Sequence, residues 1–303
     1  NWFNVEVDGV TTRLDLREGV ATYVLFSGPA GEHKIRVTRR TGAGVGPSRI
    51  LDVRAKGGSL NPTPTPERKI LVIGDSITSG YGVECTDRSI GYTHATQNAD
   101  LAYPALVAKT FGADLQSISY DGRGLVKNFA GDDETMDTLA WQTLPETNAR
   151  WPVGAWQPQV VIINLGSNDF WGGDPGETFD SAYLKMIRDL RSAYPDAQIV
   201  ATIGSLLDAA GYKAAKASIQ GAVDAVKAED SRVAFLELKP SRSAPQRYGC
   251  DWHPGRAAQT EMAGQVQALI EKRLGWTAPQ KQPEAAPAMV WLGGASSATQ
   301  VGR

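Results

Sequence analysis

The chain has 303 residues, 42% of them hydrophobic and 21% charged, enough for one full α/β domain and something smaller. A net charge of −2 and a pI near 6.0 give no electrostatic basis for binding nucleic acid or an anionic membrane surface. No apolar run approaches transmembrane length and no lipidation pattern is found, so neither nucleic acid nor membrane is expected as a partner.

The sequence starts at Asn1 without methionine or an apolar leader and reads as a trimmed form of a longer chain. Residues 1 to about 56 alternate apolar and polar side chains over Trp2 to Val7, Thr11 to Asp15, Ala21 to Phe26, His33 to Thr38 and Arg49 to Val53. Gly, Pro and Asp separate these runs, which predicts a β-rich unit over residues 1–58. Its strands are too few for a closed sandwich, so it is expected as part of a jelly roll or as a sheet completed by another segment. The cluster Gly42-Ala43-Gly44-Val45-Gly46 reads as a loop, because no helix follows it to receive a nucleotide phosphate. Residues 59–68, with Pro62, Pro64 and Pro66, form a stiff extended linker.

From Lys69 the period changes. Strand-like runs recur at Lys69 to Ile73, Leu115 to Ser119, Val160 to Leu165, Gln198 to Ile203 and Val233 to Leu238. Helical periodicity appears over Phe179 to Tyr194, Tyr212 to Ala228 and Ala257 to Leu274. Strands alternating with helices predict a parallel sheet covered on both faces, over residues 69–275. Residues 276–303 are rich in Pro and Ala and read as a loose tail. Alternatively, Val290-Trp291-Leu292 could dock as an extra strand on the β-rich unit.

The first run ends in Gly74-Asp75-Ser76, which presents Ser76 at the carboxyl edge of the sheet, where ligands of such sheets bind. Position 78 is Thr and not Gly, so this is not the nucleophile elbow of the α/β-hydrolase kind. Gly122 and Gly124 follow the second strand, Asn168 the third, and His253 lies beyond the fifth. A serine nucleophile needs a base for its proton and donors for the oxyanion. His253 is the candidate base. The Ser76 and Gly122 N–H groups and the Asn168 amide are the candidate oxyanion donors. Taken singly, each has a plainer reading: Asp75 as a turn hydrogen-bonder, Asn168-Asp169 as a cap, and His253 as the cap of the helix starting near Pro254.

The stretches Gly74-Asp75-Ser76-Ile77-Thr78, Asp121-Gly122-Arg123-Gly124, Gly166-Ser167-Asn168-Asp169 and Asp251-Trp252-His253-Pro254 resemble, in order, the four blocks of the SGNH, or GDSL-type, hydrolases. The fuller strings Gly80-Tyr81-Gly82-Val83-Glu84, Gly122-Arg123-Gly124-Leu125-Val126-Lys127-Asn128 and Gly249-Cys250-Asp251-Trp252-His253-Pro254 are similar to carbohydrate esterase family 2. That resemblance implies a three-layer α/β/α, flavodoxin-like SGNH domain behind a small jelly-roll-like β-sandwich. It also implies a secreted or periplasmic serine esterase that deacetylates xylan and related sugars without a cofactor. One position departs from the pattern. Three residues before His253, where these enzymes usually carry an aspartate, stands Cys250; the available carboxylate, Asp251, is two before. Either the Asp251 side chain orients the imidazole or a backbone carbonyl near it does, leaving a Ser-His dyad.

Aromatic residues stand beside the chemistry: Tyr81, Phe170, Trp171 and Trp252 are the candidate sugar contacts. Cys85 and Cys250 fall on loops expected around one cleft and are expected to bridge if the protein is exported. Cys250 with His253 makes half a metal site at most, so no metal is expected. Two other readings stay open: a general esterase of small acyl groups, and a carbohydrate-binding module without turnover.

Overall fold

A computed structural model describes residues 1–131, 134–144, 148–204, 206–240 and 247–279. The chain opens with β1 (Trp2–Val7) and β2 (Val10–Asp15), an antiparallel hairpin in which Val7 faces Val10 across Asp8 and Gly9. Both turn residues have positive φ, +50° and +86°, the geometry an Asp-Gly pair supplies most readily. β3 (Ile35–Arg39) pairs on the other side of β1, giving the order β2-β1-β3. The expected strands over 21–26 and 49–53 do not form. Val24 and Ile50 within them are 81% and 71% exposed, since alternation makes a strand only where a neighbour pairs with it and covers one face. Among the described residues the N-terminal unit is therefore a single three-stranded antiparallel sheet. The segment Val290 to Leu292 lies outside the described residues.

The main sheet begins with β4 (Lys69–Gly74), followed by the single-turn helix α1 (Ser76–Ser79) and α2 (Tyr103–Phe111). β5 (Asp114–Ser119) comes next. A crossover carrying α3 (Met136–Leu139) and the small hairpin β6 (Gln142–Leu144) and β7 (Ala149–Arg150) leads to β8 (Val160–Asn164). Then follow α4 (Glu177–Ala193), β9 (Gln198–Ile203), α5 (Ala209–Lys227), β10 (Val233–Glu237) and α6 (Arg256–Leu274). All pairings are parallel, in the order β10-β9-β8-β4-β5.

Alternation along each buried strand divides the core in two. Leu71, Ile73, Val161, Ile163, Ile199 and Ala201 point toward α4 and α5, while Ile70, Val72, Val160, Ile162 and Val200 point toward α2 and α6. With both faces covered, β4, β8 and β9 read as continuous apolar runs. The chain leaves β4 on one side for β5 and returns on the other as β8, so a switch point lies between β4 and β8. Gly74 is level with Ser119 and Asn164 in the register, which delivers the segments after β4, β5 and β8 to one edge.

Polar groups fasten the N-terminal sheet to the segment 80–100. Arg40, 4% exposed, forms an ion pair with Glu84 and donates to Asn4 Oδ1 at 2.8 Å. Asn4 Nδ2 donates to Asn98 Oδ1 at 3.0 Å and Asp100 Oδ2 at 2.7 Å, and Asn98 Nδ2 donates to Glu84 Oε1 at 3.1 Å. At the other end, Trp276 packs edge-on against Phe111 of α2, and Arg68 donates to the Thr277 carbonyl at 2.6 Å.

Candidate active site

Asp75 caps α1: its Oδ1 accepts the Ile77 N–H at 2.9 Å, which turns the chain sharply after β4 and sets Ser76 at the first position of the helix. Asp75 is fully buried, and desolvation pushes its carboxyl up to about 7 against the pull of that N–H. Its place is structural, as its turn composition implied.

Ser76 Oγ lies 2.8 Å from His253 Nε2, and His253 Nδ1 lies 3.1 Å from the backbone carbonyl of Asp251. A carbonyl oxygen only accepts, so Nδ1 carries the proton and Nε2 offers its lone pair to the Ser76 hydroxyl. Of the two arrangements left open by the sequence, the structure has the backbone one. The Asp251 carboxylate turns away and accepts from the Tyr81 hydroxyl at 3.0 Å and the Tyr92 N–H at 3.1 Å. Burial pushes the imidazole down to about 4, so the ring is neutral around pH 7, although the Asp251 backbone and charge act in the opposite sense.

The loop after β5 is shaped by Asp169, whose carboxylate accepts the N–H groups of Leu125, Val126 and Lys127 at 3.0, 2.7 and 3.0 Å. Gly124 leaves no room for a side chain, since a Cβ there would stand 2.0 Å from the Lys127 carbonyl. Asn168 Nδ2 donates to the Arg123 carbonyl at 2.8 Å, which locks the loop after β8 to the loop holding Gly122. Ser76 and His253 are hydrogen-bonded at this edge, and Asn168 Nδ2 lies 3.4 Å from Asp75 Oδ2 in the nucleophile turn, while Gly122 sits in the loop that follows β5.

Cys85 and Cys250 form a disulfide with Cα atoms 5.2 Å apart. It joins the segment after α1 to the turn carrying His253. Gly82 permits that approach: its φ is +58°, and a Cβ there would sit 2.5 Å from Cys250 Cβ.

The four aromatic candidates separate. Tyr81 is half-buried, its ring 4.2 Å from the His253 ring and stacked on Tyr92 at 3.8 Å. Trp252 is 53% exposed beneath the Arg88 guanidinium, 3.8 Å from its ring. Trp171 is 51% exposed and meets Phe129, itself 56% exposed, with ring centroids 5.4 Å apart. Phe170 is a correction: it is 2% exposed and packs edge-on against Phe179 in the core, so it is not available to a sugar. Consecutive residues on a loop leave in different directions, and here the second of the pair takes the solvent side. Tyr92, Phe129 and Asp169 join the site without being among its sequence candidates. Asp169 stood inside a recognised block, but nothing in the sequence marks the other two. No group of three His, Cys, Asp or Glu side chains gathers to hold a metal among the described residues.

A parallel sheet of flavodoxin order, with a serine and a histidine hydrogen-bonded at its switch-point edge, defines a hydrolase of the SGNH class. The chain belongs to the GDSL-like lipase/acylhydrolase family, whose model matches residues 72–260, and within it to family two of the carbohydrate esterases. It is 36% identical over 283 residues to the cellulase/esterase CelE of Acetivibrio thermocellus, covering 91% of this chain and 34% of that protein. The chain therefore spans about a third of the length of that relative. It is 30% identical to an acetylxylan esterase/glucomannan deacetylase of Cellvibrio japonicus, covering 91% and 77% of the two chains. A family two carbohydrate esterase from Clostridium thermocellum, solved in complex with cellohexaose, superposes with a TM-score of 0.86 at 34% identity, covering 91% and 86%.

Proposed function

We propose that this chain is a serine esterase that removes O-acetyl groups from a carbohydrate chain such as acetylated xylan or glucomannan. The observation that carries the reading is the 2.8 Å contact from His253 Nε2 to Ser76 Oγ, with Nδ1 satisfied by a carbonyl. As Ser76 Oγ attacks the acetyl carbonyl carbon, its proton passes to Nε2. The tetrahedral oxyanion is held by the N–H groups of Ser76 and Gly122 and by the Asn168 side-chain N–H that is not spent on the Arg123 carbonyl, which turns from its long 3.4 Å contact with Asp75 Oδ2. Collapse breaks the bond to the sugar oxygen, which leaves with the proton from His253. A water molecule then gives a proton to Nε2, attacks the acetyl-enzyme and releases acetate, restoring Ser76.

The exposed rings of Trp171, Phe129 and Trp252 offer flat faces for the apolar sides of sugar rings on either flank. The names of the relatives, an acetylxylan esterase/glucomannan deacetylase and a cellohexaose complex, support a polysaccharide substrate. The disulfide supports an exported enzyme. We also read the N-terminal sheet as part of a jelly-roll-like unit, a reading supported by the exposure of Val20, Val24, Ile50 and Leu51 in the segments on either side of β3. The test is acetate release from a chromogenic acetyl ester and from acetylated xylan or glucomannan, with Ser76→Ala as control. Release from both, lost in the control, is expected. Release from the small ester alone would make it a general esterase, and release from neither would refute the proposal.

A further inference from the structure

Asp251 and Trp252 both adopt left-handed backbone conformations, with φ of +47° and +66°. This turn swings the Asp251 carbonyl back onto His253 Nδ1. Non-glycine residues stay in that region only where their surroundings hold them there. Here the surroundings act on the Asp251 side chain. Its Oδ2 accepts the Tyr81 hydroxyl at 3.0 Å and the Tyr92 N–H at 3.1 Å. The Tyr81 ring lies between the imidazole and the Tyr92 ring, at 4.2 and 3.8 Å. The Tyr92 hydroxyl in turn donates to Gln97 Oε1 at 2.7 Å, and Gln97 Nε2 donates to Ser79 Oγ of α1 at 2.8 Å. The chain of contacts thus runs from the turn before the base to the helix that carries the nucleophile. No hydrogen bond joins the carboxylate to the imidazole.

We propose that Asp251 is a positioning residue: its carboxylate, clamped by Tyr81 and Tyr92, fixes the left-handed turn that aims its own main-chain carbonyl at His253 Nδ1. The proposal rests on the Ser76 and His253 reading above. Asparagine separates clamp from charge, because its amide oxygen accepts both hydrogen bonds and its backbone tolerates the left-handed region. With a chromogenic acetyl ester, Asp251→Asn should keep kcat/KM within about threefold of wild type, while Asp251→Ala should lose about 10- to 100-fold, in kcat more than KM. Tyr81→Phe keeps the ring and drops the hydroxyl. Combined with Asp251→Ala it should add no further loss, since both changes break the same clamp. Equal losses in the Asn and Ala variants, as a charged triad partner would give, would overturn the proposal, and so would additive losses in the double variant.

The downfield Nδ1–H proton resonance of His253 reads the same geometry without turnover. It should persist in wild type and Asp251→Asn and vanish by solvent exchange in Asp251→Ala, and its persistence in the Ala variant would count against the clamp. A wild-type protein with this resonance but no acetate release would refute the esterase reading and leave the clamp standing.

Discussion

Acidification is the perturbation that tests the base most directly. Burial pushes the His253 imidazole from its ordinary 6.5 to about 4, which favours the neutral, proton-accepting ring. The sign follows: the base is competent above the lowered value and is lost only as pH falls through it. At pH 5 a ring with pKa about 4 is roughly 90% neutral, whereas an ordinary imidazole is about 3% neutral, a difference of about thirtyfold in active enzyme. The assay is kcat/KM for a chromogenic acetyl ester between pH 4 and 8, because this parameter reports the ionisations of the free enzyme. Its acid limb should have a midpoint well below 6.5. Asp75, which burial raises to about 7, also titrates in this window, and Asp75→Asn keeps an oxygen acceptor for the Ile77 N–H while removing that ionisation. Burial also raises the carboxyls of Asp121 and Asp169, so the limb is assigned to His253 when it is unmoved by Asp75→Asn and its midpoint matches the ring titration of His253 followed by NMR. A limb centred at 6.5 or above in that variant would refute the account of the buried imidazole.

Three other outcomes are expected. Denatured, unreduced protein should titrate no free thiol, and Cys85→Ser with Cys250→Ser should cost up to about 5 kcal/mol, the loop-entropy value for the 165-residue separation, read by denaturant unfolding. Phe170→Ala should destabilise the fold by about 3–5 kcal/mol, while Phe129→Ala and Trp171→Ala should leave the melting temperature near wild type and raise KM for acetylated oligosaccharide but not for the small ester. Asp169→Ala strands three N–H groups in the loop beside Gly122, at roughly 1–3 kcal/mol for each one left buried, and should lower kcat and stability together in the acetyl ester assay and in thermal unfolding.

The parallel sheet was legible because β4, β8 and β9 are buried on both faces and so appear as unbroken β-branched runs between turn residues. Helices α4, α5 and α6 were legible from their amphipathic spacing. Helix α2, with 9 residues, is too short to show a clear period, and only Pro104 near its start and Gly112 in the left-handed cap mark it in the sequence. Ser76, Gly122, Asn168 and His253 could be read because their chemistry belongs to the side chain or sits at a strand end. The partner of His253 could not, since a main-chain carbonyl has no residue signature; what aims it is a pair of dihedral angles at Asp251 and Trp252. Ala21 to Phe26 and Arg49 to Val53 fail for the complementary reason. Their alternation is genuine, but a strand also needs a neighbour, and that is a tertiary fact.

The network around Arg40 places a boundary where the sequence alone would not. The prolines at 62, 64 and 66 invite a cut at the linker, as though residues 69–275 stood by themselves. Yet Arg40, Asn4 and Thr38 bond the carboxylates of Glu84 and Asp100, and the same segment, 80–100, carries Tyr81, Cys85 and Tyr92 behind the base. Removing the first sheet would leave two carboxylates without those partners on the very stretch that steadies His253. Within this chain the small sheet braces from behind the segment that carries Tyr81, Cys85 and Tyr92.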